Sequence, residues 1–187
     1  MQKQIHIIAG PNGAGKSSHA RVSLLPQFLK SNEFINADDI AKMLSPENAS
    51  LATSRAGRLI VKRIRYLINE GRGFALETTL SARSYLRLIA EAKEQNYQIN
   101  LIFLKLENCD LAVNRVATRV NKGGHHIETE TIFRRFNRGL ENLRDYLKIV
   151  DTALIYDASG LELVEIAKKI EDKFIIINQN LWSKLNV

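Results

Sequence analysis

The segment Gly10-Pro11-Asn12-Gly13-Ala14-Gly15-Lys16-Ser17, followed by Ser18, constrains this chain more than any other feature. It matches the pattern G-x-x-x-x-G-K-[ST] and stands between an apolar run, 4–9, and a helix-like stretch over 15–24. In that setting each residue type has a physical task. Glycines let successive backbone N–H groups turn inward around phosphate oxygens, Lys16 reaches the β and γ phosphates, and the Ser17 hydroxyl can ligate magnesium. A turn that merely joins strand to helix needs no lysine followed by serine. Residues 10–18 are therefore expected to bind a nucleoside triphosphate, ATP or GTP, together with Mg2+.

The remainder of the chain alternates apolar runs with amphipathic ones. Strands are expected at 4–9, 34–36, 74–78, 98–106 and 152–157, all rich in β-branched and aromatic residues. Between about Ala49 and Glu70, Gly57, Ile60, Val61, Ile64, Leu67 and Ile68 recur at three- and four-residue steps, which predicts a helix with one buried face. Arg55, Arg58, Lys62 and Arg65 fall on a neighbouring stripe of it. Further helices are expected near 38–44, 82–96, 110–121, 130–148 and 161–171, and 174–182 is expected to add an edge strand or hairpin. Runs such as LIFLKL lack polar alternation, as strands buried on both sides of a parallel sheet do. The pattern predicts an α/β fold in one domain, 1–187, with a parallel central sheet and helices on both faces.

Composition excludes several classes. With 45% hydrophobic residues in 187, the chain can bury a core. No run approaches the roughly 18 apolar residues of a membrane span, and the N-terminal apolar run is too short for a signal peptide. Cys109 is the single cysteine, so no intrachain disulfide forms and a cytoplasmic location is expected. The net charge of +7 is localised. Residues 51–73 hold six basic side chains against Glu70 alone, and 111–150 hold eight basic against four acidic. Such windows face a polyphosphate, a nucleic acid, an acidic protein or plain solvent.

Three further clusters fall where a phosphate site needs chemistry. Asp38 and Asp39 follow the second expected strand, at the carboxyl edge where open sheets bind ligands. Asp38 is the candidate general base and Asp39 the helix cap. Glu77, Thr78 and Thr79 end the third strand, and polar groups so placed should meet a ligand, a metal-bound water or each other. Ser81 is expected to cap the next helix. Arg115 and Arg119 share a helix face, and Arg134, Arg135 and Arg138 follow beyond the turn NKGGHH. Residues 110–140 thus have the parts of a helical lid whose arginines neutralise a phosphoryl group in transfer. His125 and His126, adjacent and without a second cluster, make a poor metal site.

In order along the chain, GPNGAGKSS, INADDIAKML, ALETTLS, RVATRVNKGGHHI with its following RRF, and IYDAS resemble the zeta-toxin-like P-loop kinases, over the stretch from the first strand to about residue 160. The resemblance implies a three-layer P-loop kinase fold with a helical lid. It also implies transfer of a γ-phosphate to the 3′-hydroxyl of the amino sugar in UDP-N-acetylglucosamine, and an antitoxin protein acting in trans. Carried over by motif, Lys16 and Ser17 serve the phosphates and magnesium, and Asp38 is the base that contacts the acceptor hydroxyl. Glu77 and Thr79 hold the sugar nucleotide, and Arg119 with one of Arg134 or Arg135 supplies the lid cations. Residues 156–159 resemble the loop near the adenine. The best-studied members carry an arginine two residues after this threonine, where Ser81 stands here, with Arg83 two further on.

Two other readings compete. One is another P-loop small-molecule kinase, acting on an antibiotic or a sugar. The other is a nucleotide-dependent module without chemistry that docks nucleic acid or protein on the 55–65 arginine stripe. Stacking aromatics are absent from that stripe apart from Tyr66, which argues against single-stranded nucleic acid.

Overall fold

The computed structural model of the chain describes residues 3–30, 32–36, 40, 43, 53–124 and 126–185. Seven strands form one sheet: β1 (Gln4–Ala9), β2 (Glu33–Asn36), β3 (Phe74–Thr78), β4 (Gln98–Lys105), β5 (Thr152–Asp157), β6 (Val164–Ile170) and β7 (Lys173–Ile176). Their spatial order is β2-β3-β1-β4-β5-β6-β7. The first five are parallel, and β6 and β7 add antiparallel at the far edge. The helices are α1 (Lys16–His19), which runs on into a π-helical turn over Ala20–Leu24, then α2 (Thr53–Asn69), α3 (Arg83–Glu94), α4 (Cys109–Asn121), α5 (Thr129–Ile149) and α6 (Gln179–Ser183).

Strand side chains alternate between two apolar layers. Ile5, Ile7, Phe74, Leu76, Leu101 and Phe103 point to one face, under Ile60, Ile64 and Leu67 of α2, Ile89 of α3 and Tyr146 of α5. Ile8, Ala75, Ile102 and Leu104 point to the other, against Ala20, Ala112 and Val116 of α4, and Ile132 of α5. Each of the large aliphatic and phenylalanine side chains among them, fully buried, stabilises the fold by about 1.5–3 kcal/mol. Both faces of β1, β3 and β4 are thus covered, which explains their continuous apolar sequence. The expected helix over 49–70 forms over Thr53–Asn69 with Ile60, Ile64, Leu67 and Ile68 buried. Arg55, Arg58, Lys62 and Arg65 lie exposed. Arg63 from the same basic window is engaged: its guanidinium forks onto Glu33 at 2.9 and 2.6 Å and holds that carboxyl below its ordinary range.

One expected element is overturned. Residues 161–171 are not helical; β6 occupies Val164–Ile170. The spacing of Leu163, Ile166, Ala167 and Ile170 imitates a helix because β6 carries a bulge. Ile155 pairs with Ala167 and Tyr156 with Glu165, so Ile166 is the extra residue, and Ile166 and Ala167 are buried side by side. The expected edge strand at 174–182 is present as β7, followed by α6. The expected helix at 38–44 lies largely outside the described residues. Among the described residues, no helix is long and apolar enough to cross a membrane.

Candidate functional site

The site begins at the end of β1, where the chain leaves a buried strand and must turn sharply over its neighbour. A Cβ on Gly10 would stand 2.2 Å from the carbonyl oxygen of Leu104 on β4, so only glycine passes there. Gly13 and Gly15 take φ of 80° and 76°, a left-handed backbone that glycine adopts without strain. Ala14 N–H bonds back to the Pro11 carbonyl at 3.3 Å, and α1 starts at Lys16. This is the loop expected of residues 10–18. Asn12 is buried inside it, its Oδ1 without a hydrogen-bond partner among the described residues.

Lys16 is 6% exposed and donates to the Pro11 carbonyl at 2.9 Å, with its ammonium 3.9 Å from Glu77 Oε1. The other oxygen of Glu77 accepts from Ser17 Oγ at 2.6 Å and from Asn36 Nδ2 at 2.9 Å. Four residues from three elements therefore converge: the α1 start, the end of β2 and the end of β3. Parallel pairing brings them together, because Asn36 stands beside Glu77 in register and Ala9 beside Thr78. Ser17 and Glu77 offer hard oxygen donors to one point, and this donor chemistry fits magnesium. Asn36 was not foreseen. Its only signal is a polar residue ending a strand at the sheet's carboxyl edge.

Asp38, the expected base, and Asp39 lie outside the described residues, two and three positions beyond Asn36 in sequence. Thr79 Oγ1 is 2.8 Å from Ser81 Oγ, and Thr78 Oγ1 accepts from the N–H of Leu80, which sits at φ 57°. The polar groups after β3 thus meet one another, as expected of them. The cap expected of Ser81 is overturned: Ala82 holds the N-cap position of α3 with no side-chain cap bond, because the Ser81 hydroxyl is taken by Thr79.

The strained 79–81 turn is gripped by α5. Asn142 donates to the Leu80 carbonyl at 2.7 Å, and a Cβ on Gly139 would stand 2.4 Å from the Thr79 carbonyl oxygen. Arg83 does not turn toward the loop; it reaches Asn142 Oδ1 at 3.3 Å and Asp145 at 3.6 Å.

The segment expected to form a lid contains the two expected helices, α4 and α5, and Gly123 at φ 83° closes the first of them. Its arginines are dispersed. Arg115 clamps the segment after β5, donating to the carbonyls of Ala158 and Ser159 at 2.7 Å each. Arg119 is half-buried beneath Gly124. Arg134 is exposed with a long bond to Thr131, and Arg135 is half-buried, where its charge acts on the Tyr85 phenol. Burial outweighs that charge and pushes the phenol's pKa up. His126 lies 3.3 Å from Glu128; His125 is outside the described residues. No cluster of three metal-ligating side chains occurs among the described residues.

The comparisons agree with this architecture. The chain is 30% identical over 138 residues to an uncharacterized protein of Haemophilus influenzae, covering 73% of this chain and 94% of that one. Its fold superposes at a TM-score of 0.79 on a crystal structure of AvrRxo1-ORF1:-ORF2 with ATP, at 14% identity, covering 98% of this chain and 63% of the matched one. It also superposes at 0.67 on a structure of the PezAT chromosomal toxin-antitoxin system of Streptococcus pneumoniae, at 15% identity, covering 99% of this chain and 84% of that one. At these identities the likeness is one of fold. The zeta toxin family model matches residues 1–169, and on that span, phosphate loop included, the chain belongs to the zeta toxin family.

Proposed function

We propose that the protein is an ATP- or GTP-dependent kinase that transfers the γ-phosphate to a hydroxyl of a sugar nucleotide such as UDP-N-acetylglucosamine, and that it is the toxin of a toxin-antitoxin pair. The convergence of Lys16, Ser17, Asn36 and Glu77 beside the phosphate loop carries this reading. Ser17 and Glu77 are the residues that would hold magnesium, which when bound neutralises phosphate charge and orients the transferring group. Lys16 releases Pro11 to reach the β and γ phosphates. The acceptor hydroxyl gives its proton to the Asp38 carboxylate while its oxygen forms the new bond to the γ-phosphorus and the bond to the β-phosphate oxygen breaks. A base of this kind supplies about 10² to 10⁴ in rate, and positioning with charge neutralisation supplies most of the rest. Thr79 orients the acceptor, and Arg119 with Arg134 or Arg135 stabilises the transferring group as the lid settles. An antitoxin acting in trans belongs to this reading.

The test is incubation with ATP or GTP, magnesium and a panel of sugar nucleotides, with mass spectrometry of the products. A singly phosphorylated product is expected with wild type and none with Asp38→Ala, whose nucleotide affinity stays near normal. Full activity in Asp38→Ala overturns the base assignment, and no product from any compound overturns the kinase reading.

A further inference from the structure

The last residue of β4 is a lysine, the one charged residue of that strand, and it follows the apolar run Leu101–Leu104. Lys105 is 5% exposed, and its ammonium makes one long bond, 3.4 Å to the carbonyl of Leu106. Among the described residues two other lysines are as deeply buried, and each is well satisfied: Lys16 by Pro11 at 2.9 Å with Glu77 beyond, Lys169 by the Val150 carbonyl at 2.5 Å. The obvious partner for Lys105 is Asp157, its register neighbour on β5. That carboxylate instead accepts from the Ser159 N–H at 2.7 Å, and no ion pair joins it to Lys105. A buried ammonium with one long carbonyl bond is destabilising unless an anion completes it.

Lys105 is also one wall of a cleft at the mouth of the sheet, shared with Pro11 of the phosphate loop, Thr79, and Phe136, Gly139 and Leu140 of α5. The turn after β3 offers no substitute cation among the described residues, since Thr79 and Ser81 bond each other and Arg83 is turned to Asn142 and Asp145. The cleft is narrow, about 10 Å³, the space of roughly one water. Phe136 and Leu140 line it from α5 and are half-buried, so these are the side chains an entering anion would displace.

We propose that Lys105 is a specificity residue whose ammonium takes an anionic group of the phosphate acceptor, a phosphate or a carboxylate, admitted between the phosphate loop and α5. This rests on the kinase reading and deepens it by naming the residue that recognises the acceptor's charge, so that a neutral counterpart of the acceptor is a poor substrate. A cation within a low-dielectric wall discriminates strongly, because the charged hydrogen bond it makes is worth about ten-fold or more in affinity.

Two measurements keep this separate from the kinase reading. In the first, transfer from ATP is measured to matched acceptors, UDP-N-acetylglucosamine against N-acetylglucosamine and sugar phosphates against the free sugars. The charged member of the active pair is expected to be preferred, with Lys105→Met raising its KM about ten-fold or more and Lys105→Arg recovering part of the loss. A preference for the neutral member, or an unchanged KM in Lys105→Met, overturns the proposal. In the second, inorganic phosphate is titrated calorimetrically into full-length protein whose phosphate loop is already filled by a non-hydrolysable ATP analogue and magnesium. Binding to wild type, weakened about ten-fold in Lys105→Met, supports the site; no binding to wild type, or equal binding to the variant, overturns it. If no compound is phosphorylated, the kinase reading falls and the phosphate titration alone decides on Lys105.

Discussion

The hydroxyl of Ser17 donates to the carboxylate of Glu77 at 2.6 Å, and this one bond joins the phosphate loop to the end of a strand 60 residues further along the chain. Glu77 therefore lies on the phosphate-loop side of the mouth, between Lys16 and Asn36, and the proposed magnesium role rests on that position. Glu77→Gln keeps the shape of the side chain and removes its charge. Activity is expected to fall about ten- to hundred-fold, the usual cost of altering a metal site's supporting groups. Titration of magnesium under otherwise saturating conditions checks the assignment: the half-maximal concentration should rise in Glu77→Gln, and an unchanged value would place the carboxylate outside the metal's environment.

Gly139 is where α5 lies against the turn after β3. Gly139→Ala places a methyl group 2.4 Å from the backbone oxygen of Thr79, where neither partner is a flexible side-chain tip. The substitution is expected to destabilise the fold by about 1–3 kcal/mol, as overpacking does, and to disturb the Thr79 hydroxyl's position. Gly57→Ala is the internal control. It lies within α2 with nothing within 4 Å of the added Cβ among the described residues, so it should stabilise by about 1 kcal/mol. Urea unfolding of both variants reads the contrast; the same sign for both would contradict it.

His6 stands beside Phe28, ring centroids 4.3 Å apart, and burial lowers its pKa from 6.5 to about 4. The unfolded chain takes up this proton as pH falls below about 6.5, whereas the folded chain resists until about 4. Stability is therefore undiminished by His6 at neutral pH and is lost across the window from 6.5 down to 4, by up to about 3 kcal/mol. In unfolding experiments between pH 7 and 4.5, His6→Leu should show a shallower loss than wild type. Parallel slopes for the two proteins would refute the buried neutral imidazole.

Tyr146 is 1% exposed, and its hydroxyl is buried with no hydrogen-bond partner among the described residues. Burial first, and the neighbouring Tyr85 second, push its pKa upward, so it stays protonated throughout the working range. Removing an unsatisfied polar atom without changing the ring should leave the core intact and relieve a desolvation cost of about 1 kcal/mol. Tyr146→Phe is expected to raise the unfolding free energy by that amount, measured in urea. A loss of 1 kcal/mol or more would mean that the hydroxyl has a bound partner.

How far the residues alone reach depends on how local the deciding interactions are. The strands at 4–9, 74–78 and 152–157 form with the bounds expected of them, because short runs rich in β-branched and aromatic residues pack well on a pleated sheet surface. The phosphate loop was equally legible, since its geometry is written in consecutive glycines followed by lysine and serine. The expectation of phosphate binding follows from that short segment, and the resemblance to the zeta toxin family, which the family model over residues 1–169 bears out, from its order with the later motifs.

Contacts between distant segments decided the rest. The bulge at Ile166 depends on pairing with β5, so local spacing read β6 as a helix. Ser81 was free to cap α3 in principle, and the hydroxyl of Thr79 took it. Arg83 is tied down by Asn142 and Asp145, residues 59 and more positions away, and Asn36 joins the site only because β2 pairs with β3. Lys105 is the clearest case. In the sequence it is one charge after the apolar run Leu101–Leu104, and only packing between the phosphate loop and α5 makes it a buried lysine lining a cleft. Composition and periodicity report what each segment prefers alone; which side chains share a site depends on sheet order and register, which bring residues together regardless of their separation along the chain.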